Sequence, residues 1–190
     1  MSTASGSRLP ELLARLHPPG PAEADEPSLV WAAVALIVVP DPDAFLLIRR
    51  AERAADPWSG HLALPGGRRH PDDRDLADTA MRETGEEVGI TLGRSTLAGT
   101  LDDAVPRTPT LPPVVVRPFV FTLPARPPIR LNREVAEAVW VELALCLAPD
   151  ARHESEQVVR GERRLYPVYR TPAGPVWGMT ERILTSFVSG

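Results

Sequence analysis

An α/β fold follows from three features of the sequence. Residues 30–39 are a ten-residue apolar run, rich in β-branched and small side chains, followed by Pro40-Asp41-Pro42-Asp43 and a second run, Phe45-Leu46-Leu47-Ile48. That pattern predicts two adjacent buried strands joined by a turn. Past Asp72-Asp73 the periodicity becomes helical, predicting a helix over 75–88 with acidic caps at its start and Gly89 as its stop. Near the end of the sequence, 180–188 carries Ile183, Leu184 and Phe187 at helical spacing and predicts a closing helix.

The remaining elements fall between these landmarks. Residues 9–16 suit a short amphipathic helix, after which Pro18, Pro19, Gly20, Pro21 and Pro27 break any regular pattern. Residues 1–28 are therefore expected to be an arm with a possible short helix, and 29–190 a single domain. Leu62-Ala63-Leu64 running into Pro65-Gly66-Gly67 predicts a short strand and a loop whose backbone can approach another group closely. Strands are expected over 95–101, 114–123 and 138–142, with loops over 106–113 and 150–176. There is no internal repeat.

Composition excludes several chemistries. All 21 cationic side chains of the Lys and Arg class are Arg, so a Schiff-base lysine, a pyridoxal-phosphate lysine and a lysine-bearing P-loop are ruled out. The 22 prolines are scattered between apolar runs, which reads as stiffened loops in a folded chain. A formal charge of −4 gives no global field for nucleic acid or an anionic membrane, so any polyanion must be held by a local cluster. The ten-residue run is too short to span a bilayer, and the N-terminus lacks the order of a signal peptide. One cysteine, Cys146, permits no intramolecular disulfide and fits a reducing compartment, with a cytoplasmic location the expectation.

The helix over 75–88 carries the chemistry. At 100° per residue, Ala77, Met81, Thr84 and Val88 form one core-facing stripe, whereas Glu83, Glu86 and Glu87 gather on another face. Carboxylates so spaced repel one another unless a cation lies between them. A run of Glu on a helix is also the pattern of a solvated acidic face. The preceding Gly-Gly loop and the helix-weakening Gly85 favour a hard divalent ion, which takes oxygen ligands and shares them with phosphates. Arg82, four residues before Glu86, is placed to pair with it.

Gly66-Gly67, Asp73 and Arg82-Glu83-Thr84-Gly85-Glu86-Glu87-Val88-Gly89-Ile90 together resemble the box of the Nudix hydrolases. One extra residue between Gly67 and Arg82, and Asp73 where Glu is usual, are departures shared with the coenzyme A pyrophosphatase branch. Thr84 stands where a larger aliphatic is usual, and only its methyl is expected to pack. Leu46-Leu47-Ile48-Arg49-Arg50, the stretch from Ser59 to Gly67, and Val176 to Leu184 are similar to that branch as well, although Leu64 replaces a typical Phe and one residue is added between Arg50 and Gly66. The resemblance implies an α/β/α sandwich around a mixed sheet, with the two long helices on opposite faces. It also implies Mg²⁺- or Mn²⁺-dependent hydrolysis of a diphosphate.

By residue-by-residue carry-over, Glu83, Glu86 and Glu87 with the backbone carbonyl of Gly66 would hold metal, and Arg82 would orient the carboxylates. The general base would be Glu83 or a carboxylate from a later loop, such as Glu134 or Glu137. Without lysine, phosphate contacts fall to arginine, and Arg50, Arg53, Arg68 and Arg69 flank the loop. His61, His70, Trp58, Trp177 and Cys146 are assigned to packing or solvent, with base stacking the alternative for the two tryptophans. The expected substrate is coenzyme A or an acyl derivative, a small-molecule diphosphate. The alternatives are a dinucleoside polyphosphate, ADP-ribose or a nucleotide sugar, or a binding module without catalysis. Family resemblance also raises a homodimer, with no interface indicated.

Overall fold

The computed structural model describes residues 7–19, 29–53, 58–106, 114–159 and 162–189. At its centre lies β1 (Val30–Val39), whose side chains are apolar on both faces. Alternation sends Leu36 and Val38 into one hydrophobic core and Ala33, Ala35 and Ile37 into the other. The next strand, β2 (Ala44–Arg50), divides in the same way, with Phe45 and Leu47 in the first core and Leu46 and Ile48 in the second. Two dry faces need two covering layers, and this requirement generates the sandwich.

One edge of β1 is filled by β2 at its C-terminal end, where Val38 faces Phe45. At its N-terminal end the same edge takes β4 (Gly66–Arg68), with Val34 facing Gly66. Between them the chain passes through β3 (Leu62–Ala63), which pairs with β2. The other edge of β1 pairs in parallel with β6 (Val114–Thr122), from Val30 with Val114 to Val38 with Thr122. Outside β6 lies the antiparallel β5 (Leu97–Thr100), and outside β2 lies β7 (Val135–Glu142). Seven strands thus make one mixed sheet.

The second core is covered by α2 (Leu76–Val88), which buries Leu76, Ala77, Ala80 and Val88. The first is covered by α4 (Gly178–Ser189), which buries Ile183, Leu184 and Phe187. Beside α4 lies a second, three-stranded antiparallel sheet of β8 (Arg152–Val159), β9 (Glu162–Thr171) and β10 (Gly174–Trp177). The expected α/β/α arrangement around a mixed sheet is therefore present, with this extra sheet in place of the loop expected over 150–176. The polar run Arg152-His153-Glu154-Ser155-Glu156-Gln157 hides β8 from an apolar-alternation reading. A short helix, α3 (Ala144–Leu147), was also unanticipated. Residues 107–113, most of the expected loop over 106–113, lie outside the described residues.

Of the expected arm, residues 1–6 and 20–28 lie outside the described residues, and the described part packs onto the domain. In α1 (Leu9–Leu13), Leu9 and Leu12 enter the first core, and the Asp43 carboxylate accepts hydrogen bonds from the backbone N–H groups of Arg8 and Leu9 at 2.7 and 3.3 Å. His17 and Thr100 exchange backbone hydrogen bonds, at 3.0 Å from the His17 N–H and 2.9 Å from the Thr100 N–H. Leu12 is 1% exposed. Leu12→Ala is expected to lower stability by about 2–5 kcal/mol, read as a shift in the urea midpoint. A change below about 0.5 kcal/mol would show that the segment adds nothing to the core.

Candidate active site

Helix α2 is built to hold its position. Its N-cap is Asp75, extended at φ −157°, whose side chain accepts from the Asp78 N–H at 2.9 Å. The expected caps Asp72 and Asp73 lie before it, and Asp73 does different work. Gly89, at φ 69°, closes the helix by donating to the Gly85 carbonyl at 3.1 Å. Within the helix Thr84, whose methyl alone is expected to pack, is fully buried, and its hydroxyl donates back to the Ala80 carbonyl at 2.7 Å. Met81, expected in the core stripe, is half-buried.

The three glutamates sit at three depths. Glu87 is buried, Glu83 is half-buried and Glu86 is exposed. Facing them is the Gly66-Gly67 segment. The Gly66 N–H donates to Glu87 Oε2 at 2.9 Å. Gly66 has φ 151°, and a Cβ there would lie 2.2 Å from the Ala33 carbonyl oxygen, so the β1–β4 ladder admits only glycine. Gly67 has a different reason. A Cβ there would come within 2.5 Å of the Glu83 carboxylate, so the missing side chain is the space that Glu83 occupies. Gly67→Ala is expected to leave the fold intact, because the Glu83 carboxylate can swing aside, while displacing it enough to reduce, on the order of 10²-fold, the metal-dependent hydrolysis that the sequence resemblance implies. Unchanged turnover would show that the Glu83 position is immaterial.

Arg82 ties the acidic groups together. Its Nε and Nη2 donate to the two oxygens of Asp73 at 2.9 and 3.0 Å, and its Nη1 reaches Glu83 Oε1 at 2.9 Å and both Glu86 oxygens at 3.3 Å. Nη2 also donates to the Arg68 carbonyl at 3.3 Å, linking helix to loop. Asp73 is buried and accepts further bonds from the His70 N–H and the Thr79 hydroxyl, both at 2.8 Å. The Arg82 guanidinium holds the Asp73 carboxyl far below the usual carboxylate range, and Asp73 in turn raises Arg82 above its ordinary value.

Glu87 shows the opposite behaviour. Burial pushes its carboxyl up to about 7, against the lowering effect of the Gly66 N–H, and the nearby Glu83 charge adds to the rise. Burial likewise raises Glu83, partly offset by Arg82. Two carboxylates raised by burial make an all-oxygen donor set, with no nitrogen or sulfur ligand, of the kind a hard divalent ion takes. Among the described residues no three His, Cys, Asp or Glu side chains converge as a formed metal centre, and Arg82 engages Glu83 and Glu86. The donors fit a hard divalent ion in kind only.

The candidate phosphate contacts are placed unevenly. Arg50 lies at the end of β2, near enough for its charge to favour ionised Glu87, and its backbone N–H donates to the His61 carbonyl at 3.1 Å. Arg53 pairs with Glu134 at 2.8 Å. Arg68 and Arg69 are exposed beside the glycines. Glu137, expected in a loop, is on β7 and pairs with Arg49 at 3.0 Å. His70 is exposed, while His61 packs its ring against Trp177 at 4.8 Å. Trp177 is buried, Trp58 is half-buried, and burial pushes the Cys146 thiol up to about 12, making it an inert core residue. Two residues gain weight that sequence reasoning did not give them: Asp73 as the anchor of Arg82, and Arg49, named only as part of a motif.

A buried carboxylate on a capped helix, held against a Gly-Gly strand end at the edge of a mixed sheet, defines an α/β protein with an acidic centre. The chain belongs to the Nudix hydrolase family: the NUDIX domain model matches residues 30–161. It is 41% identical over 128 residues to an uncharacterized protein of Schizosaccharomyces pombe, covering 64% of this chain but only 39% of that longer protein. It is 28% identical over 158 residues to the mitochondrial coenzyme A diphosphatase NUDT8 of Mus musculus, covering 81% of this chain and 73% of the mouse protein. Among solved structures, a MutT/nudix family protein from Enterococcus faecalis superposes with a TM-score of 0.59 at 19% identity, over 88% of this chain and 63% of that one.

Proposed function

We propose that the protein is a divalent-metal-dependent pyrophosphohydrolase that cleaves the diphosphate of coenzyme A or an acyl derivative. The observation that carries the chemistry is the placement of Glu87 and Glu83 against Gly66 and Gly67, two carboxylates lifted by burial and aimed at one loop. Glu83, Glu86, Glu87 and the Gly66 carbonyl would hold Mg²⁺ or Mn²⁺. When bound, such an ion supplies Lewis-acid stabilisation of phosphoryl oxygens and acidifies water. Arg82 sets the carboxylate positions. Arg50, Arg53 and Arg68 would meet the phosphates, with Arg53 exchanging Glu134 for substrate. The candidate bases are Glu83, Glu134 and Glu137; Arg53 holds Glu134 below the ordinary carboxylate value, which weakens it for that role.

Support for the coenzyme A branch comes from the mouse relative and from the sequence resemblance around Ser59 to Gly67. No helix among the described residues is long and apolar enough to cross a membrane. A buried, high-pKa Cys146 is compatible with the cytoplasmic placement we infer. A product-resolved screen with Mg²⁺ and Mn²⁺ tests the assignment. Release of 3′,5′-ADP and 4′-phosphopantetheine from coenzyme A is expected. AMP from ADP-ribose without coenzyme A turnover would move the substrate to another nucleotide, and nucleotide binding without turnover would overturn the enzymatic reading.

A further inference from the structure

Arg49 makes a set of contacts that the chemistry above does not require. From the end of β2 its Nε donates to Glu137 on β7 at 3.0 Å and its Nη1 to the Gly60 carbonyl at 3.1 Å, while its Nη2 donates to the Ala173 carbonyl. Gly60 belongs to the loop that enters β3, and Ala173 lies in the turn between β9 and β10. One half-buried guanidinium, 30% exposed, therefore joins the main sheet, the loop before the Gly-Gly segment and the second sheet.

Four rings meet along the same seam. The Trp58 and Trp177 centroids are 6.0 Å apart, His61 and Trp177 4.8 Å, and Tyr166 and Trp177 5.1 Å. Trp177 is buried beneath the others, whereas Trp58, His61 and Tyr166 keep part of their surface in solvent. Arg50 connects this wall with the acidic centre: its backbone N–H donates to the His61 carbonyl at 3.1 Å, while its charge acts on Glu87.

We propose that Arg49 is a positioning residue for substrate selection. By locking the 58–61 loop to the β9–β10 turn, it fixes Trp58, His61 and Tyr166 as a rigid wall for a planar heteroaromatic ring joined to the diphosphate. The inference deepens the proposed function and rests on its assignment of the diphosphate to the Gly66-Gly67 loop. Exposed rings recognise a planar ligand through stacking, and a rigid wall does so at lower ordering cost than a mobile one. Three donors in a fixed fork are a guanidinium property that lysine cannot reproduce.

The test is calorimetric binding of ADP and of inorganic pyrophosphate, with Mg²⁺ present, to the wild type, Arg49→Met, Arg49→Lys, Trp58→Ala and the Arg49→Met/Trp58→Ala double variant. Arg49→Met is expected to weaken ADP about tenfold while leaving pyrophosphate within twofold, with Arg49→Lys intermediate. The double variant should lose little more than either single one, because both act through one wall. Equal weakening of both ligands, no change for ADP, or additive losses would overturn the proposal. Should Arg49→Met fail to fold, Arg49→Lys decides through the same ADP-to-pyrophosphate ratio, an unchanged ratio overturning the proposal. Because the readout is binding, a wild type that binds ADP without hydrolysing any diphosphate defeats the enzymatic reading and leaves this inference standing.

Discussion

Glu87→Gln is expected to reduce metal-dependent diphosphate hydrolysis at least 10²-fold, equivalent to about 3 kcal/mol of transition-state stabilisation, without unfolding the protein. The amide is nearly isosteric, and its oxygen can still accept from the Gly66 N–H. What disappears is the negative charge that draws in the cation. The same substitution has a pH signature in the metal-free protein. The folded Glu87 carboxyl sits near 7 and its ordinary value is 4.5, so between these values the unfolded chain releases its proton first. Metal-free wild type should therefore lose stability as pH rises from about 4.5 to about 7, by on the order of 3 kcal/mol, and then level off. The Gln variant should lack that slope, and Mg²⁺ above pH 7 should raise the stability of wild type alone. Urea titrations at pH 5 and pH 8, with and without Mg²⁺, measure this. Full activity in the variant would remove Glu87 from the metal set.

Asp73→Ala should damage stability and hydrolysis together. It deletes the buried partner of a guanidinium that also spans Glu83 and Glu86, removes the acceptor of the His70 N–H, and leaves the Thr79 hydroxyl only the long bond to the Asp75 carbonyl at 3.5 Å. Breaking such a network costs about 3 kcal/mol, and a loosened Arg82 should lower hydrolysis on the order of 10-fold or more. The sign of its pH dependence is opposite to that of Glu87. The folded value of Asp73 is depressed below its ordinary 3.8, so its stabilisation is present above about pH 4 and lost as pH falls through the folded value. The stability gap between wild type and Asp73→Ala should accordingly narrow in acid. A gap that stays constant from pH 7 to pH 3 would argue that the ion pair contributes nothing.

Local features of the chain were the legible ones. The apolar runs of β1 and β2, the helical stripe from Ala77 to Val88 and the glycine stop at Gly89 are written in consecutive residues, and the structure realises them closely. Helix period put the glutamates on a common face, but their meeting with Gly66 and Gly67 was legible only through the family resemblance, because the loop lies 16 or more residues away in the chain. The depth of each carboxylate was not. Glu86 and Glu87 are adjacent, yet one is exposed and the other buried, a difference that depends on where β4 docks against β1. Arg49 was opaque for the same reason: its partners at Gly60, Glu137 and Ala173 come from three distant segments. The polar outer strand β8 carried no apolar period at all.

The parallel pairing of β1 with β6 bears on how the molecule is assembled. The strands that meet from Val30 with Val114 to Val38 with Thr122 enclose the whole segment bearing Gly66, Gly67 and α2. Closing so long a loop is slow and entropically costly before any contact rewards it. A growing chain that has made α2 but not yet Val114–Thr122 lacks the strand that completes the sheet beneath the helix. Catalytic competence should therefore arrive late in folding, in one cooperative step, and a chain cut before β6 should show no trace of the acidic centre's affinity for divalent ions.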